Sequence, residues 1–311
     1  MTVRHLLSSD DIDTSEQLQL TMRAIELKKQ RGSHVMPLMG TSVGLIFEKP
    51  STRTRVSFEV AVRELGGHAV VLRGDELQLG RGETIEDTGR VLSRYLHAIA
   101  IRTFGQERLE SLADSSTIPI INALSDLEHP CQALADVMTI AERFPDAASV
   151  NLAYLGDGNN VCHSLLLAAA KAGYSSVTVA CPEGFEPIEP IVEQASAIGK
   201  ETGCAIEITN DPVSASKGAN VLYTDVWTSM GQEEEKEQRL ESFRGFEVSS
   251  DRLAEAALDV IVLHCLPAHR GEEIDADVID GPSSAVWDQA ENRLHAQKAL
   301  LEFLIAKARK T

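Results

Sequence analysis

Short apolar runs alternate with segments of helical periodicity along this chain of 311 residues, in two successive series. The first series includes the run Thr41–Phe47, followed by a helical segment that ends at Gly66-Gly67. The second follows Phe144-Pro145-Asp146 and begins with the run Val150–Leu155 and the helical segment Val161–Ala172. Such alternation is typical of parallel sheets covered by helices on both faces. The sequence therefore predicts an α/β protein of two domains, each with a mostly parallel sheet flanked by helices.

The two series also set the expected domain boundaries. Residues 1–143 are predicted to form the first domain and residues 144–287 the second, with helices joining the two. Further strands are predicted at Ala69–Leu72, Ala98–Arg102, Ile118–Asn122, Ser176–Ala180, Ala205–Ile208, Val221–Thr224 and Val260–Leu263, and a further helix at Ile188–Thr202.

Helices are also predicted near both ends of the chain. Residues 15–30 place Leu18, Met22, Ile25 and Leu27 at approximately helical spacing, as the apolar stripe of an amphipathic helix. Residues 288–311 are expected to form one amphipathic helix that packs back on the first domain, with Leu294, Ala299, Leu300 and Leu304 on its apolar stripe.

The composition argues against several classes of function. The net charge of −18 disfavours a nucleic-acid partner, because binding to a phosphate backbone depends on Lys and Arg. We expect no membrane association, since no apolar run is long enough to cross a bilayer. We expect a cytoplasmic location, since the first residues lack a signal-peptide stretch. The five scattered cysteines argue against disulfides and a zinc ribbon. Because the net charge is negative, any anion site must be built locally, from arginines beside backbone amides.

The strongest local signal for an anion site lies in the segment Phe47–Ala61, where a strand leads into a helix. The first amides of a helix lack intrahelical partners and bind phosphate well. The hydroxyls of Ser51, Thr52 and Thr54 add donors, and Arg53 adds a charged fork suited to phosphate. An ordinary capped helix with a solvated pair of arginines is the alternative interpretation.

A second helix start lies at Glu128–Gln132, where Pro130 suits the first helical turn. His129 and Gln132 would then project near the helix start and could donate hydrogen bonds to a carbonyl oxygen. Arg102 ends a predicted strand, which is where open α/β sheets bind ligands. The alternatives are a structural His-Pro pair and a surface arginine.

A glycine-containing loop, Gly156–Asn160, follows a predicted strand and precedes a helix. It lacks the third glycine of the G-x-G-x-x-G fingerprint, because Val161 occupies that place. A nicotinamide cofactor is therefore not expected. Asn160 is better interpreted as a polar group at a helix start.

These motifs together resemble the aspartate and ornithine carbamoyltransferase family. Its carbamoyl phosphate signatures are similar to Ser51-Thr52-Arg53-Thr54-Arg55 and to His129-Pro130-Cys131-Gln132. Asp225-Val226-Trp227-Thr228-Ser229-Met230-Gly231 resembles the D-x-x-x-S-M-G loop of the ornithine enzymes, and His264-Cys265-Leu266-Pro267 resembles their H-C-L-P segment. The resemblance covers essentially the whole chain. It implies transfer of the carbamoyl group of carbamoyl phosphate to the δ-amine of ornithine, giving citrulline and phosphate, without a metal or other cofactor.

The resemblance also assigns roles residue by residue. Catalytic roles are implied for Arg102, His129, Asp225 and Cys265. Ornithine contacts are implied for Asn160, Asp225, Ser229 and Met230. Carbamoyl phosphate contacts are implied for Ser51, Thr52, Arg53, Thr54, Gln78, Arg102, His129, Gln132, Cys265, Leu266 and Arg293.

The same resemblance implies a homo-oligomer, a trimer or a multiple of trimers, with sites at subunit interfaces. Gln78 lies where the family has a loop that reaches into the neighbouring subunit's site.

Three alternatives stay open from the sequence. Cys265 can be an inert buried thiol, a metal ligand with His264 or His269, or a substrate contact, which the resemblance favours. The acceptor can be another amine, such as putrescine or an acylated ornithine. The chain can also be a non-catalytic sensor that binds carbamoyl phosphate without turnover.

Overall fold

The computed structural model describes residues 3–33, 35–74, 82–228 and 235–306 of the chain. These residues divide into two compact units. The first unit comprises the described residues up to Met138 and those from Glu291 onward, and the second comprises Thr139–Ala290. The division falls within two helices, near the boundaries expected at 143 and 287. Within the described ranges, no helix has both the length and the apolar character needed to cross a membrane.

The first unit contains a parallel sheet of four strands in the order β2-β1-β3-β4. Its core is formed by buried aliphatic side chains such as Leu45, Ala61 and Leu134. In chain order the elements are α1 Thr14–Lys29, β1 Ser42–Phe47, α2 Arg53–Glu64, β2 His68–Arg73, α3 Ile85–Leu92, β3 Ala98–Arg102, α4 Gln106–Ser115, β4 Ile120–Leu124 and α5 Pro130–Arg143.

The second unit contains a parallel sheet of five strands in the order β7-β6-β5-β8-β9. Two buried clusters cover it, one including Leu152, Leu166 and Val179, the other including Leu222 and Phe243. In chain order the elements are β5 Asn151–Leu155, α6 Asn160–Ala172, β6 Ser176–Ala180, α7 Glu189–Thr202, β7 Ala205–Thr209, α8 Pro212–Ser216, β8 Val221–Thr224, α9 Lys236–Ser242, α10 Ser250–Glu255, β9 Ile261–His264, α11 Ala276–Ile279 and α12 Val286–Leu301.

The predicted fold class is confirmed, because both units are parallel sheets flanked by helices. Continuous apolar runs form the central strands: the middle residues of β1 and all of β8 and β9 are buried. Strands buried on both faces need such runs, whereas a strand with one wet face alternates.

The apolar stripe predicted for the first helix is wrong in part. Helix α1 forms as expected and begins with a capping box between Asp13 and Glu16. However, Leu18 and Met22 are 61% and 64% exposed. The buried stripe contains Gln17, Leu20, Thr21, Ala24 and Leu27, because core contact, rather than hydrophobicity alone, selects the inward face.

The predicted C-terminal helix begins slightly earlier than expected and changes its geometry. Helix α12 ends at Leu301 and continues as a π-helical turn over Glu302–Ala306. All four residues of its predicted apolar stripe are buried in the core of the first unit: Leu294, Ala299, Leu300 and Leu304.

Candidate functional site

The strand order of the first unit makes the carboxyl ends of β1 and β3 a candidate ligand site. The chain proceeds to opposite sides of the sheet from these two strands, which makes them a topological switch point, the usual ligand site of open α/β sheets. Phe47 pairs with Arg102 at these strand ends. The next residue, Glu48, donates its backbone N–H to the carbonyl oxygen of Arg102 at 3.0 Å. The loop that leads into α2 therefore starts beside Arg102.

Arg293 connects three helices of the first unit at this edge of the sheet. Its Nη2 donates to Thr54 Oγ1 at 2.6 Å, and its Nη1 donates to Gln132 Oε1 at 2.8 Å. Gln132 Nε2 in turn donates to Asp136 Oδ1 at 2.8 Å. All four side chains are buried. The chain of hydrogen bonds fixes the guanidinium of α12 against the start of α2 and the first turn of α5.

His129 precedes α5 and is only 3% exposed. The pKa of its imidazole is held well below the ordinary value, first by burial and then by the positive charges of Arg293, Arg102 and Arg53. A neutral imidazole has one N–H to donate and does not compete with the arginines for an anion. We call His129, Arg53, Arg102 and Arg293, with Thr54 and Gln132, the arginine cluster.

The arginine cluster is a local positive region in a chain of net charge −18. Its composition suits an anion with a carbonyl group, because guanidinium forks match phosphate oxygens and a neutral imidazole can donate to a carbonyl oxygen.

The start of α2 separates the two arginines of its motif. Thr52 directly precedes the helix, and its side chain does not cap it in the part of the chain that the structure describes. Arg53 lies close enough to His129 to affect its pKa. Arg55 instead forms an ion pair with Glu59 at 2.8 Å on an exposed face of the helix. The solvated-arginine interpretation therefore describes Arg55 but not Arg53.

The second unit has its own switch point, between β5 and β8. Asp225 directly follows β8 and is 5% exposed. Asn159 Nδ2 donates to its Oδ2 at 2.9 Å, and the thiol of Cys265, which follows β9, donates to its Oδ1 at 2.9 Å. We call Asn159, Asp225 and Cys265 the aspartate cluster. It presents a buried, oriented carboxylate, the group expected to face a cationic ligand.

Asn159 also begins α6. Its Oδ1 accepts from the backbone N–H groups of Val161 at 2.9 Å and Cys162 at 3.2 Å, which is an N-cap. One amide side chain therefore both starts the helix and orients Asp225. The sequence assigned the polar role to the next residue, Asn160, which is the first residue of α6.

His264 supports the turn that follows β9. Its Nδ1 accepts from the backbone N–H of Leu266 at 2.8 Å, and its Nε2 lies 3.0 Å from Glu273 Oε1. The first contact assigns the proton to Nε2, which then donates to the fully buried Glu273. Ligand atoms of Asp225, His264 and Cys265 lie within 4.8 Å of one another. However, both nitrogens of His264 are engaged, so this arrangement does not offer a complete metal-ligand set.

Three predicted site residues fall outside the described ranges: Gln78, Ser229 and Met230. The other predicted residues belong to two groups. The first unit brings together Arg53, Thr54, Arg102, His129, Gln132 and Arg293, with Ser51 and Thr52 at the start of α2. The second unit holds Asn160, Asp225, Cys265 and Leu266 at the ends of β5, β8 and β9.

Several polar residues of both groups were missed from the sequence. Asn159 had a usable signal, since Asn immediately before a helix is a preferred N-cap. Asp157 and Arg239 had none, because they are 82 positions apart and meet only in the fold. Asp136 and Glu273 are nearer to their partners Gln132 and His264, but no sequence motif marks either contact.

Two family descriptions match the chain, and each covers about one of its two units. Residues 4–142 match the family description "Aspartate/ornithine carbamoyltransferase, carbamoyl-P binding domain", and residues 148–304 match "Aspartate/ornithine carbamoyltransferase, Asp/Orn binding domain". The chain is 59% identical to an ornithine carbamoyltransferase of Acidothermus cellulolyticus, over 97% of each chain.

Solved structures give the same result. The ornithine carbamoyltransferase of Pyrococcus furiosus is similar with a TM-score of 0.94 and 51% identity, over 97% of each chain. The anabolic ornithine carbamoyltransferase of Campylobacter jejuni is similar with a TM-score of 0.92 and 38% identity, over 97% of this chain and 99% of that one. With both domain descriptions and these relatives matched, the chain belongs to the aspartate/ornithine carbamoyltransferase family.

Proposed function

We propose that the chain transfers the carbamoyl group of carbamoyl phosphate to the δ-amine of L-ornithine, giving L-citrulline and phosphate. The observation that carries the proposal is the pairing of two chemistries in one chain. The arginine cluster suits an anionic carbamoyl donor, and the aspartate cluster suits a cationic acceptor. The relatives named ornithine carbamoyltransferase, one of them 59% identical, support ornithine as that acceptor.

The first unit is assigned to carbamoyl phosphate. Its phosphate would meet the amides and hydroxyls at Ser51–Thr54 together with Arg53, while Arg102 and His129 face the carbonyl oxygen. Attack on the carbonyl carbon develops negative charge on that oxygen, and each oriented donor is worth about 3 kcal/mol of transition-state stabilisation. Arg293 contributes its charge and holds Thr54 in place.

The second unit is assigned to ornithine. Asp225 would pair with the α-ammonium group of ornithine. Cys265 donates a hydrogen bond to the same carboxylate and would therefore lie beside the substrate. Asn160, Ser229 and Met230 complete the proposed ornithine contacts, while Cys265 and Leu266 are also proposed to contact carbamoyl phosphate. The δ-amine must lose a proton before it attacks, since an alkylammonium group has a pKa of about 10.4. Burial of the amine favours its neutral form.

The bond changes follow from these roles. The δ-nitrogen forms a bond to the carbamoyl carbon, and the bond from that carbon to the phosphate oxygen breaks. The phosphate leaves towards the arginines and takes up the proton that the nitrogen releases. Charge is supplied by guanidinium groups, so the proposal contains no metal step.

A homotrimeric assembly and a cytoplasmic location belong to the same proposal and rest on the family resemblance. In this assembly Gln78 would serve a neighbouring subunit's site. Light scattering on the purified protein would test it, with a mass of three 33.8-kDa chains, or a multiple of that, as the expected result.

The function is tested by supplying carbamoyl phosphate with ornithine, putrescine, N-acetylornithine or aspartate in separate assays. Turnover with ornithine alone, lost in Arg53→Ala, is the expected result. Turnover with another amine would keep the donor assignment and overturn the acceptor. Binding of carbamoyl phosphate without any product would favour a sensor instead.

A further inference from the structure

A second polar group lies beside the aspartate cluster, and the chemistry above does not use it. Arg239 of α9 forms an ion pair with Asp157, which lies in the loop after β5. Both residues are buried: Asp157 is 9% exposed and Arg239 is 5% exposed. Exposed ion pairs contribute little, whereas a buried pair fixes its partners firmly and is costly to break.

The guanidinium of Arg239 has several partners besides Asp157. Its Nε donates to the backbone carbonyl of Trp227, two residues after Asp225. Its planar group lies over the rings of Phe185 and Phe243, with centroid distances of 4.8 and 5.4 Å. Trp227 in turn stacks on Phe243 at 5.5 Å between ring centroids. Arg239 is therefore a rigid connection and not a mobile surface charge.

The two loops joined by Arg239 are the ones that carry the aspartate cluster. Asp157 is two residues before Asn159, and its carbonyl oxygen accepts from the buried Tyr154 hydroxyl at 2.9 Å. Trp227 is two residues after Asp225. The hydrogen bond of 2.9 Å between Asn159 and Asp225 therefore spans the same two loops that Arg239 connects.

Charge gives Arg239 a second effect. Asp157 and Asp225 are close enough for the negative charge of Asp225 to raise the pKa of Asp157. Without a cation between the loops, the buried Asp157 would compete with Asp225 for the ammonium group of a substrate. Arg239 neutralises Asp157 and leaves Asp225 as the carboxylate offered to the acceptor.

We propose that the buried Asp157–Arg239 pair positions Asp225 for the ammonium group of the acceptor, by connecting the loop after β5 to the loop after β8. This inference rests on the proposed function. Both residues act through Asp225 and Asn159 and are positioning residues, without contact to the reacting atoms.

The test compares Arg239→Met, Arg239→Lys and Asp157→Asn with the unmodified enzyme. The control is Arg143→Met, which removes an exposed arginine–aspartate pair of the same unit. KM is measured for ornithine at saturating carbamoyl phosphate, and for carbamoyl phosphate at saturating ornithine. L-Norvaline keeps the α-ammonium and carboxylate but lacks the δ-amine, so its inhibition constant reports acceptor anchoring without turnover.

We expect Arg239→Met to raise the ornithine KM and the norvaline inhibition constant by about tenfold or more, as for truncation of a buried charge pair. The carbamoyl phosphate KM should change by less than about twofold, because most of the contacts proposed for that substrate lie in the first unit. Arg239→Lys should give intermediate values of both constants, since lysine keeps the positive charge but lacks the forked guanidinium group. Arg143→Met should match the unmodified enzyme. The double variant Asp157→Asn/Arg239→Met should be little worse than Arg239→Met alone.

The pH dependence gives an independent readout. Burial raises the pKa of Asp157 to about 6, although Arg239 opposes the rise. The charged groups that face it are Arg239, Asp225 and Glu235. As the pH falls through 6, Asp157 takes up a proton and the pair weakens, so the ornithine KM should rise more steeply in the unmodified enzyme than in Asp157→Asn.

A purely structural role predicts a different pattern. The variants would then lose thermal stability and active enzyme, while both KM values and the norvaline constant stayed unchanged, and that result would overturn the inference. If the unmodified enzyme instead carbamoylates a different amine, the proposed function fails. The KM of that amine in the same variants then tests the positioning role.

Discussion

At the scale of single residues, the chain distinguishes groups of the same type by their surroundings. Arg53 and Arg55 are two positions apart on α2, yet Arg53 acts on His129 while Arg55 pairs with Glu59. A helix turns by 100° per residue, so neighbours two apart point in different directions. Spacing alone assigns both arginines to the motif, whereas their partners separate them.

Replacing these arginines one at a time should therefore give unequal results. Arg53→Met should lower kcat/KM for carbamoyl phosphate by about a hundredfold or more, the usual loss for one donor to a developing charge. Arg55→Met, its matched control, should stay within about twofold, because an exposed i,i+4 pair contributes little. Steady-state kinetics with ornithine saturating checks both. Equal losses in the two variants would contradict the assignment of the phosphate site.

The neutral state of His129 has a consequence for stability. Its native pKa lies well below the ordinary 6.5, so only the unfolded chain binds a proton as the pH falls below about 6.5. Stability is therefore present above that pH and is lost below it. His129→Gln should remove about 1.4 kcal/mol of the loss between pH 7.5 and 5.5.

Urea unfolding at several pH values measures this difference, with the exposed His68→Gln as control. An unchanged pH slope in His129→Gln would show that the native imidazole takes up a proton like the unfolded one.

At the scale of secondary structure elements, helix starts position most of the functional groups. The motif residues of the first unit lie at the starts of α2 and α5, and Asn159 caps α6 beside Asp225. The first turn of a helix has backbone N–H groups without intrahelical partners, so polar side chains gather there for structural reasons too. Asn159 caps the helix with its Oδ1 and donates to Asp225 with its Nδ2.

The two roles of Asn159 should separate by mutation. Asn159→Ala removes the cap and the donor to Asp225, and should cost about 1 kcal/mol of stability and raise the ornithine KM. Asn159→Ser keeps a capping oxygen, so stability should stay near normal while the ornithine KM still rises.

Urea unfolding and acceptor kinetics distinguish these outcomes. Asp211→Ala removes the cap of α8 in the same unit and should lower stability without changing the KM. A normal ornithine KM in both Asn159 variants would argue against its role at Asp225.

At the scale of the whole molecule, both units place their polar clusters in the same way. Each sheet has one switch point, and the clusters lie at the carboxyl ends of the strands beside it. The arginine cluster also opposes the net charge of −18, which repels an anionic substrate at long range.

Ionic strength should therefore affect the two substrates in opposite ways. Raising it from about 10 to about 150 mM shortens the screening length from about 30 to about 8 Å. We expect kcat/KM to rise for anionic carbamoyl phosphate and to fall for cationic ornithine. Potassium gluconate is the suitable salt, since a bulky anion competes weakly for the phosphate site. If kcat/KM changed in the same direction for both substrates, the net charge of the protein would not explain the effect of salt.

The sequence by itself determined the fold class, because hydrophobic periodicity depends only on residues that are close together in the sequence. It determined most strand positions for the same reason, with β3 at Ala98–Arg102 matching its predicted bounds. The family motifs at Ser51–Arg55 and His129–Gln132 likewise stand in continuous sequence. The contacts predicted for Gln78, Ser229 and Met230 stay predictions.

Only the tertiary structure decided which side chains act together. Arg293 reaches Thr54 across 239 positions of sequence, and Arg239 reaches Asp157 across 82. It also made Asn159, which the sequence did not single out, a hydrogen-bond partner of Asp225, and it left Leu18 and Met22 of α1 exposed. The reason is physical: periodicity reports which residues prefer burial, whereas hydrogen bonds and ion pairs depend on distances of about 3 Å that the packing of remote segments sets.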